Sequence, residues 1–397
     1  MNDVEPLAPD RPLHSCWPSL RRSAPFALLA DLPTPVERLE TLEQRIGARG
    51  PLFIKRDDIS SPVYGGNKVR TLEALFGLAK ALGARRIFST GAFGSNHALA
   101  TALHAPRVGL EPGVLLFPQP RAWPALENLR VTASYARFFL GLPHWLAFPW
   151  GMARLSRRER RGDPPGFVMV PGGATPEGAL GYVSAALELG LQVQSGLLPA
   201  PRAIVLGVGS TCTTAGLLVG LALAARLGIG FVDSKGRPAP PLVVAVRVTP
   251  WPVTARFRVV GLAVRTAELL EKLTGDPSAR CDARSLSSGL RIDGRFLGRG
   301  YGWPTPEGER TLSLFSELGL VALDTTYTAK AAAGFLAFAR AEPGPSLFWS
   351  TKSTVPLPSL EPAALEAAPP GVRRFIEKAE RELSESSRRD PRRTGPR

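Results

Sequence analysis

Short apolar runs alternate with helix-period segments along most of the chain. Leu52-Phe53-Ile54-Lys55 reads as a strand. Leu72, Leu75, Phe76 and Ala79 recur at the spacing that lines one face of a helix over about residues 69–82. Between them lies a glycine turn, Tyr64-Gly65-Gly66-Asn67-Lys68. The pattern then repeats as strand 86–89, small-residue loop 90–95 and helix 96–105, and again as strand 203–206, loop 207–213 and helix 214–227. The apolar run 114–117 suits a strand buried in a parallel sheet, and strands at 242–248 and 346–349 continue the alternation. This alternation predicts an α/β fold with mostly parallel sheets covered by helices, and no fixed-period repeat competes with it.

A length of 397 residues and 44% hydrophobic content fit a folded chain of two domains. Residues 1–24 lack the apolar core of a signal peptide and are expected to form a loose leader. Residues 373–397 are expected to be a basic, disordered tail. The longest apolar stretch, 138–152, is broken by Pro143, His144 and Pro149 and is shorter than the ~20 residues of a membrane-spanning helix. It is expected to be core, a partner-facing surface or a cover for the site, and no membrane partner is expected.

The net charge of +15 raises a nucleic-acid reading. Residues 371–397 hold nine Lys/Arg against five Asp/Glu, and Arg154, Arg157, Arg158, Arg160 and Arg161 fall in an expected loop before Pro164-Pro165. Neither stretch interleaves aromatics with its basic residues, and no zinc-finger or RNP-type motif is present, so no nucleic-acid partner is expected. Cys16, Cys212 and Cys281 lie far apart. That spacing excludes a disulfide framework and a cysteine-based metal site, and it fits a reducing cytoplasm.

The chemistry collects in three loops that join an apolar strand to a helix. Ligands of open α/β sheets bind at the carboxyl ends of strands, where helix N-termini present unpaired N–H groups to a phosphate. Gly65-Gly66-Asn67-Lys68 places a lysine at one helix mouth, without the spacing of a phosphate-binding P-loop. A lysine whose pKa is lowered by burial becomes a nucleophile toward an aldehyde. Read singly, such a lysine is more often a surface residue, Asn67 reads as a turn residue, and Ser95 as an N-cap.

The run Ile54-Lys55-Arg56-Asp57-Asp58, followed by Gly65-Gly66-Asn67-Lys68-Val69-Arg70-Thr71-Leu72-Glu73, resembles the 1-aminocyclopropane-1-carboxylate deaminase/D-cysteine desulfhydrase family. That family is a branch of the pyridoxal 5′-phosphate (PLP) enzymes built on the tryptophan-synthase β-subunit fold. The resemblance continues in order through Gly94-Ser95-Asn96-His97, residues 171–182, residues 207–216, Gly300-Tyr301-Gly302 and Asp324-Thr325-Thr326-Tyr327-Thr328-Ala329-Lys330, spanning about 32–351. It implies PLP fold type II, two domains of three-layer open parallel sheets. The larger, PLP-binding domain would take residues 25–75 and 171–372, and the smaller 76–170. Relatives are commonly homodimers.

By this resemblance Lys68 bonds the cofactor aldehyde and later moves the substrate α-proton, and Asn67 contacts the cofactor's phenolic oxygen. Gly207, Gly209, Ser210, Thr211, Cys212 and Thr213 cradle the phosphate, while Ser95, Asn96 and His97 surround the substrate carboxylate. Thr211 and Cys212 stand where many relatives have more glycine. A threonine there is expected to hold φ negative and to shift the loop path, and Cys212 to be a small buried filler.

Tyr327 is expected at the substrate or its leaving group, with Thr328 beside it at the substrate. Thr328 and Thr351 side with the desulfhydrase branch, where a hydroxyl rather than a carboxylate faces the pyridine nitrogen. A less electron-withdrawing ring is adequate when a good leaving group departs from the β-carbon. Ser350, Lys352 and Ser353 depart from the family's His-Thr-Gly-Gly, and Ala329 replaces a glycine. The reaction implied is deaminating β-elimination on a small amino acid, D-cysteine being the nearest candidate, with pyruvate, ammonia and sulfide as products. The alternatives are 1-aminocyclopropane-1-carboxylate deamination and a PLP-binding homologue with altered or lost activity.

Overall fold

Apolar runs bounded by glycine loops become strands in the computed structural model, which describes residues 11–360 and 362–389. There are ten among the described residues: β1 (Val36–Arg38), β2 (Leu52–Lys55), β3 (Arg86–Ala92), β4 (Glu111–Phe117), β5 (Phe138–Gly141), β6 (Gly166–Val168), β7 (Ala203–Val208), β8 (Leu242–Arg247), β9 (Leu290–Asp293) and β10 (Ser346–Trp349). The longer helices are α1 (Asn67–Ala81), α2 (Asn96–His104), α3 (Trp123–Tyr135), α4 (Phe148–Arg160), α5 (Pro176–Gln194), α6 (Cys212–Arg226), α7 (Arg256–Thr274), α8 (Pro306–Glu317), α9 (Thr328–Ala341) and α10 (Pro370–Arg389). The chain divides into two units. The larger takes the described residues up to Leu78 and Gly173–Val355; the smaller takes Ala79–Gly172 and the described residues from Pro356 onward.

In the larger unit the sheet order is β1-β2-β10-β7-β8-β9. Only the β1–β2 pair is antiparallel. Successive residues of a strand face opposite sides. Ile204, Leu206, Val243, Leu347 and Trp349 therefore enter one core with α5, α6 and α7. Val205, Val244 and Phe348 enter the other with α9. Both faces are covered, which is why these strands carry no polar alternation. Gly181 allows α5 to approach α1: a Cβ there would stand 2.1 Å from the Arg70 carbonyl oxygen.

Residues 11–24 do not form a loose leader. Short helices at Pro12–Cys16 and Leu20–Ser23 bury Leu13 and Leu20. The Arg11 guanidinium meets Glu73, and the Trp17 indole donates to Asp276 at 2.9 Å. Residues 1–10 of that expected leader lie outside the described residues.

In the smaller unit all four strands run parallel in the order β5-β4-β3-β6. The expected disordered tail is α10 as far as Arg389. Its Val372, Ile376 and Ala379 recur at helical spacing and are buried, and Phe375 packs on Phe93 with ring centroids 4.8 Å apart. Heavy charge masks that apolar stripe in the sequence. The rest of the expected tail, 390–397, lies outside the described residues. The arginines expected in a loop at 154–161 lie on or just after α4. The apolar stretch 138–152 supplies β5, a turn and the start of α4, leaving Trp145, Leu146 and Trp150 exposed.

Candidate active site

In the larger unit β10 lies between β2 and β7, so the loops leaving their carboxyl ends are neighbours. Gly66, at φ 89°, pairs with Lys352 in an antiparallel bridge, and the Asn67 N–H donates to the Thr351 carbonyl at 2.9 Å. A Cβ on Gly66 would stand 2.8 Å from that carbonyl oxygen, so glycine is required there. α1 begins at Asn67 and carries Lys68 in its first turn.

Lys68 Nζ reaches Ser210 Oγ at 3.4 Å, and Asn67 Nδ2 donates to Thr213 Oγ1 at 2.9 Å. The β2 and β7 loops are therefore joined side chain to side chain. Burial pushes the Lys68 amine below the usual lysine range. Burial also pushes the Cys212 thiol up to about 11. Its Sγ donates to the Gly173 carbonyl at 3.1 Å, so Cys212 is a buried neutral filler.

Gly207 and Val208 end β7, and Gly209-Ser210-Thr211 leads into α6 at Cys212. Thr211 does not keep a negative φ: it adopts φ 73° and ψ −22°, the left-handed region. The chain must reverse there to start α6, and the threonine accepts the strain rather than redirecting the loop. The first-turn N–H groups of α6 have no partner within the helix. Among the described residues, Thr214 Oγ1 in that turn and Ser350 Oγ at the end of β10 are buried without a hydrogen-bond partner. A half-buried, nucleophilic amine beside a hydroxyl-rich helix mouth with an unsatisfied hydroxyl fits a phosphorylated aldehyde.

Two phenols lie beside this loop. A Cβ on Gly209 would touch the Tyr327 ring at 4.0 Å, and the Tyr327 hydroxyl is hydrogen-bonded to the Tyr301 hydroxyl. Their rings meet edge to face, 5.8 Å apart. Burial pushes both phenols above the usual range, Tyr327 well above it, so both are protonated donors near neutral pH. Tyr301 was legible only as the centre of Gly300-Tyr301-Gly302, with no role attached. Asp324 fixes Tyr327: its carboxylate accepts from the N–H groups of Thr326, Tyr327 and Thr328 at 2.9, 3.0 and 2.9 Å.

Thr328, expected beside Tyr327 at the substrate, has its hydroxyl bonded to Asp324. Its hydroxyl donates to Asp324 Oδ1 at 2.8 Å and accepts from the Asp324 N–H at 2.7 Å. Both of its hydrogen-bonding roles are used in capping α9. Thr351 stays beside Asn67 through its carbonyl. Lys352 lies over the Tyr64 ring, with Nζ 3.2 Å from the phenol oxygen, and Ser353 Oγ accepts from the Gly65 N–H at 3.0 Å. These two residues thus tie the glycine loop to the end of β10.

In the smaller unit Ser95 is the N-cap of α2, its Oγ accepting from the Ala98 N–H at 3.3 Å. Asn96 Oδ1 accepts from Asn128 Nδ2 at 2.8 Å, and His97 is buried. Nothing in the sequence spacing pointed to Asn128.

Behind Lys68, α1 is anchored by a buried ionic cluster in the larger unit. Arg70 is forked onto Asp57, with Nε at 3.0 Å and Nη2 at 2.9 Å, and onto Glu188 at 3.0 and 2.9 Å. Asp57 also accepts from Tyr182 at 2.7 Å and Trp349 at 2.8 Å, and Lys55 Nζ lies 2.6 Å from Glu188. Burial alone would raise both carboxyls. The Arg70 charge, its hydrogen bonds and the Lys55 charge together outweigh it, so Asp57 lies below the usual range and Glu188 at about 2.

A doubly covered parallel sheet with a lysine amine and a phosphate-binding helix mouth at its strand ends defines an enzyme that holds a phosphorylated aldehyde on lysine. Residues 27–348 match the family described as pyridoxal-phosphate dependent enzyme, and the chain belongs to that family. It is 33% identical over 334 residues to nocardicin C-9′ epimerase of Nocardia uniformis subsp. tsuyamanensis, covering 83% of this chain and 93% of that protein. It is 31% identical over 320 residues to D-cysteine desulfhydrase of Klebsiella pneumoniae subsp. pneumoniae, covering 78% and 86%. A crystal structure described as an ACC deaminase homologue matches with a TM-score of 0.66 at 26% identity, covering 87% of this chain and 96% of that one. The chain is a PLP-dependent enzyme of fold type II with lyase and deaminase homologues.

Proposed function

We propose that this enzyme catalyses deaminating β-elimination on a small amino acid, with D-cysteine as the reference substrate and pyruvate, ammonia and sulfide as products. One observation carries the reading: the half-buried Lys68 amine sits beside Ser210 in the same unit as a protonated phenol pair. The cofactor, when bound, supplies the electron-withdrawing ring that makes the substrate α-proton labile. Asn67 and the residues Gly207, Gly209, Ser210, Thr211, Cys212 and Thr213 would hold the cofactor, with Thr351 a neutral neighbour of its ring.

Lys68, neutral for part of the cycle, takes the α-proton. The Cβ–S bond then breaks with its electron pair leaving on sulfur, and Tyr327, backed by Tyr301, donates the proton that sulfur needs. Hydrolysis of the unsaturated amino acid so formed gives pyruvate and ammonia. Ser95, Asn96 and His97 are proposed to take the substrate carboxylate.

A second reading, epimerisation at the α-carbon, draws support from the 33% identity to an epimerase over most of its length. It begins with the same removal by Lys68 and returns a proton to the opposite face. Incubating the purified holoenzyme in D2O with D-cysteine, L-cysteine and 1-aminocyclopropane-1-carboxylate separates the readings. Sulfide with pyruvate supports elimination, 2-oxobutyrate supports the cyclopropane substrate, and inverted, α-deuterated amino acid supports epimerisation. Recovery of every substrate unchanged and undeuterated defeats them all.

The setting proposed is a homodimer in a reducing cytoplasm, which light scattering on the purified protein tests for the dimer. All three cysteines are free, and among the described residues no helix is long and apolar enough to cross a membrane.

A further inference from the structure

Tyr301 sits in a stretch, residues 294–305, that belongs to no strand or helix. Gly298, Gly300 and Gly302 hold φ at 62°, 128° and 80°, a region open to glycine and closed to most residues. A loop so rich in glycine has many backbone paths before folding, and only a few of them bring the Tyr301 hydroxyl onto that of Tyr327. Something must select one.

The side chain of Lys330 is 0% exposed. Its ammonium donates to the Leu297 carbonyl at 2.9 Å and to the Gly300 carbonyl at 3.0 Å. Those two carbonyls flank the Gly298-Arg299 turn, and Gly300 directly precedes Tyr301. A buried ammonium needs strong acceptors, and here the loop backbone provides them. Lys330 stands in the first turn of α9, whose N-terminus carries Tyr327 and is capped by Asp324.

We propose that Lys330 is a positioning residue: by gripping the loop on both sides of its turn, it registers Tyr301 against Tyr327, so that one helix carries both halves of the hydroxyl pair. The inference rests on the reading of that pair as the proton donor to the leaving group. Lys330 touches neither phenol oxygen, and it acts only through where it holds the backbone before Tyr301.

A double-mutant cycle on the holoenzyme tests this, with D-cysteine, whose sulfur leaving group needs a proton, as the probe and sulfide release followed for wild type, K330M, Y301F and the double variant. K330M and Y301F are each expected to lower kcat by about 10- to 100-fold with KM moved little, the scale of an ångström of misplacement. The double variant should be no slower than Y301F alone, and K330R should recover part of the loss. Losses that multiply in the double variant overturn the proposal, as does a K330M enzyme with wild-type kcat.

A Y301F enzyme with full kcat defeats the reading of the phenol pair itself, which keeps the two failures apart. A readout independent of turnover is the pH difference spectrum in the phenolate band, taken against Y301F. Tyr301 should titrate nearer an ordinary phenol in K330M, and an unchanged titration counts against the lysine. Should K330M give no folded holoenzyme, K330R carries the same cycle, because its longer forked donor cannot reproduce the grip in full.

Discussion

Replacing Arg70 with methionine keeps the bulk of a side chain that is 1% exposed and removes the charge that holds two buried carboxylates. Glu188 at about 2, against a usual 4.5, represents roughly 3 kcal/mol of native-state stabilisation at neutral pH. Arg70 is the largest contributor to that lowering, and it acts on Asp57 as well. With Arg70 gone, Glu188 keeps Lys55, whereas Asp57 keeps mainly the neutral donors Thr34, Tyr182 and Trp349. Breaking such a cluster from one side costs about 3–5 kcal/mol, a large part of the stability of a typical domain.

The sign of the pH dependence then inverts. In the wild type both carboxyls are depressed, so their stabilisation is complete above the ordinary carboxylate range and is lost as pH falls toward about 2. In R70M burial dominates at Asp57, its folded pKa rises above the unfolded one, and protonation on acidification recovers stability. Urea denaturation at pH 7 and pH 5 is the assay. The expectation is a large loss at pH 7 that narrows at pH 5. A loss under about 1 kcal/mol, or one that widens on acidification, refutes the account.

Lys68→Ala should abolish the visible absorbance of lysine-bonded cofactor; a variant that keeps this band shows that another amine holds the aldehyde. Because burial lowers the Lys68 pKa, capture of PLP by the apoprotein should reach its plateau rate at a pH below the 10.5 of an ordinary lysine, and a plateau only above it contradicts the site. Cys212, with its thiol raised to about 11, should resist alkylation at pH 8 in the folded enzyme, and rapid labelling of that residue would show the loop to be open. Thr211→Gly removes a left-handed β-branched residue at the cost of a looser unfolded chain, so stability should rise by about 0–1 kcal/mol in thermal melts. A clear fall would mean that the Thr211 side chain has a binding role the backbone does not explain.

The local alternation of apolar runs, glycine loops and helix-period segments was readable residue by residue, because each signal lies within a few positions. It placed β10 at Ser346–Trp349 and the start of α1 within two residues of Asn67. The resemblance of ordered motifs pointed to Lys68 and the 207–213 loop for the same reason. Several readings went otherwise, and the arginines expected in a loop at 154–161 lie on or just after α4. Residues 11–24 pack through Leu13 and Leu20, α10 hides three apolar positions among charges, Thr211 tolerates a positive φ, and Thr328 turns its hydroxyl onto Asp324.

Each of those outcomes depends on groups many residues away or on a backbone angle, and neither is written in local pattern. The sequence by itself determined which segments could be strand or helix and which residues had the chemistry to bond an aldehyde. Only the tertiary structure decided that Arg70, Asp57, Lys55 and Glu188 form one buried cluster behind Lys68, and that Lys330 holds the loop of Tyr301. Burying a charge is tolerable only where its partners converge, and convergence of distant residues is a property of the folded chain.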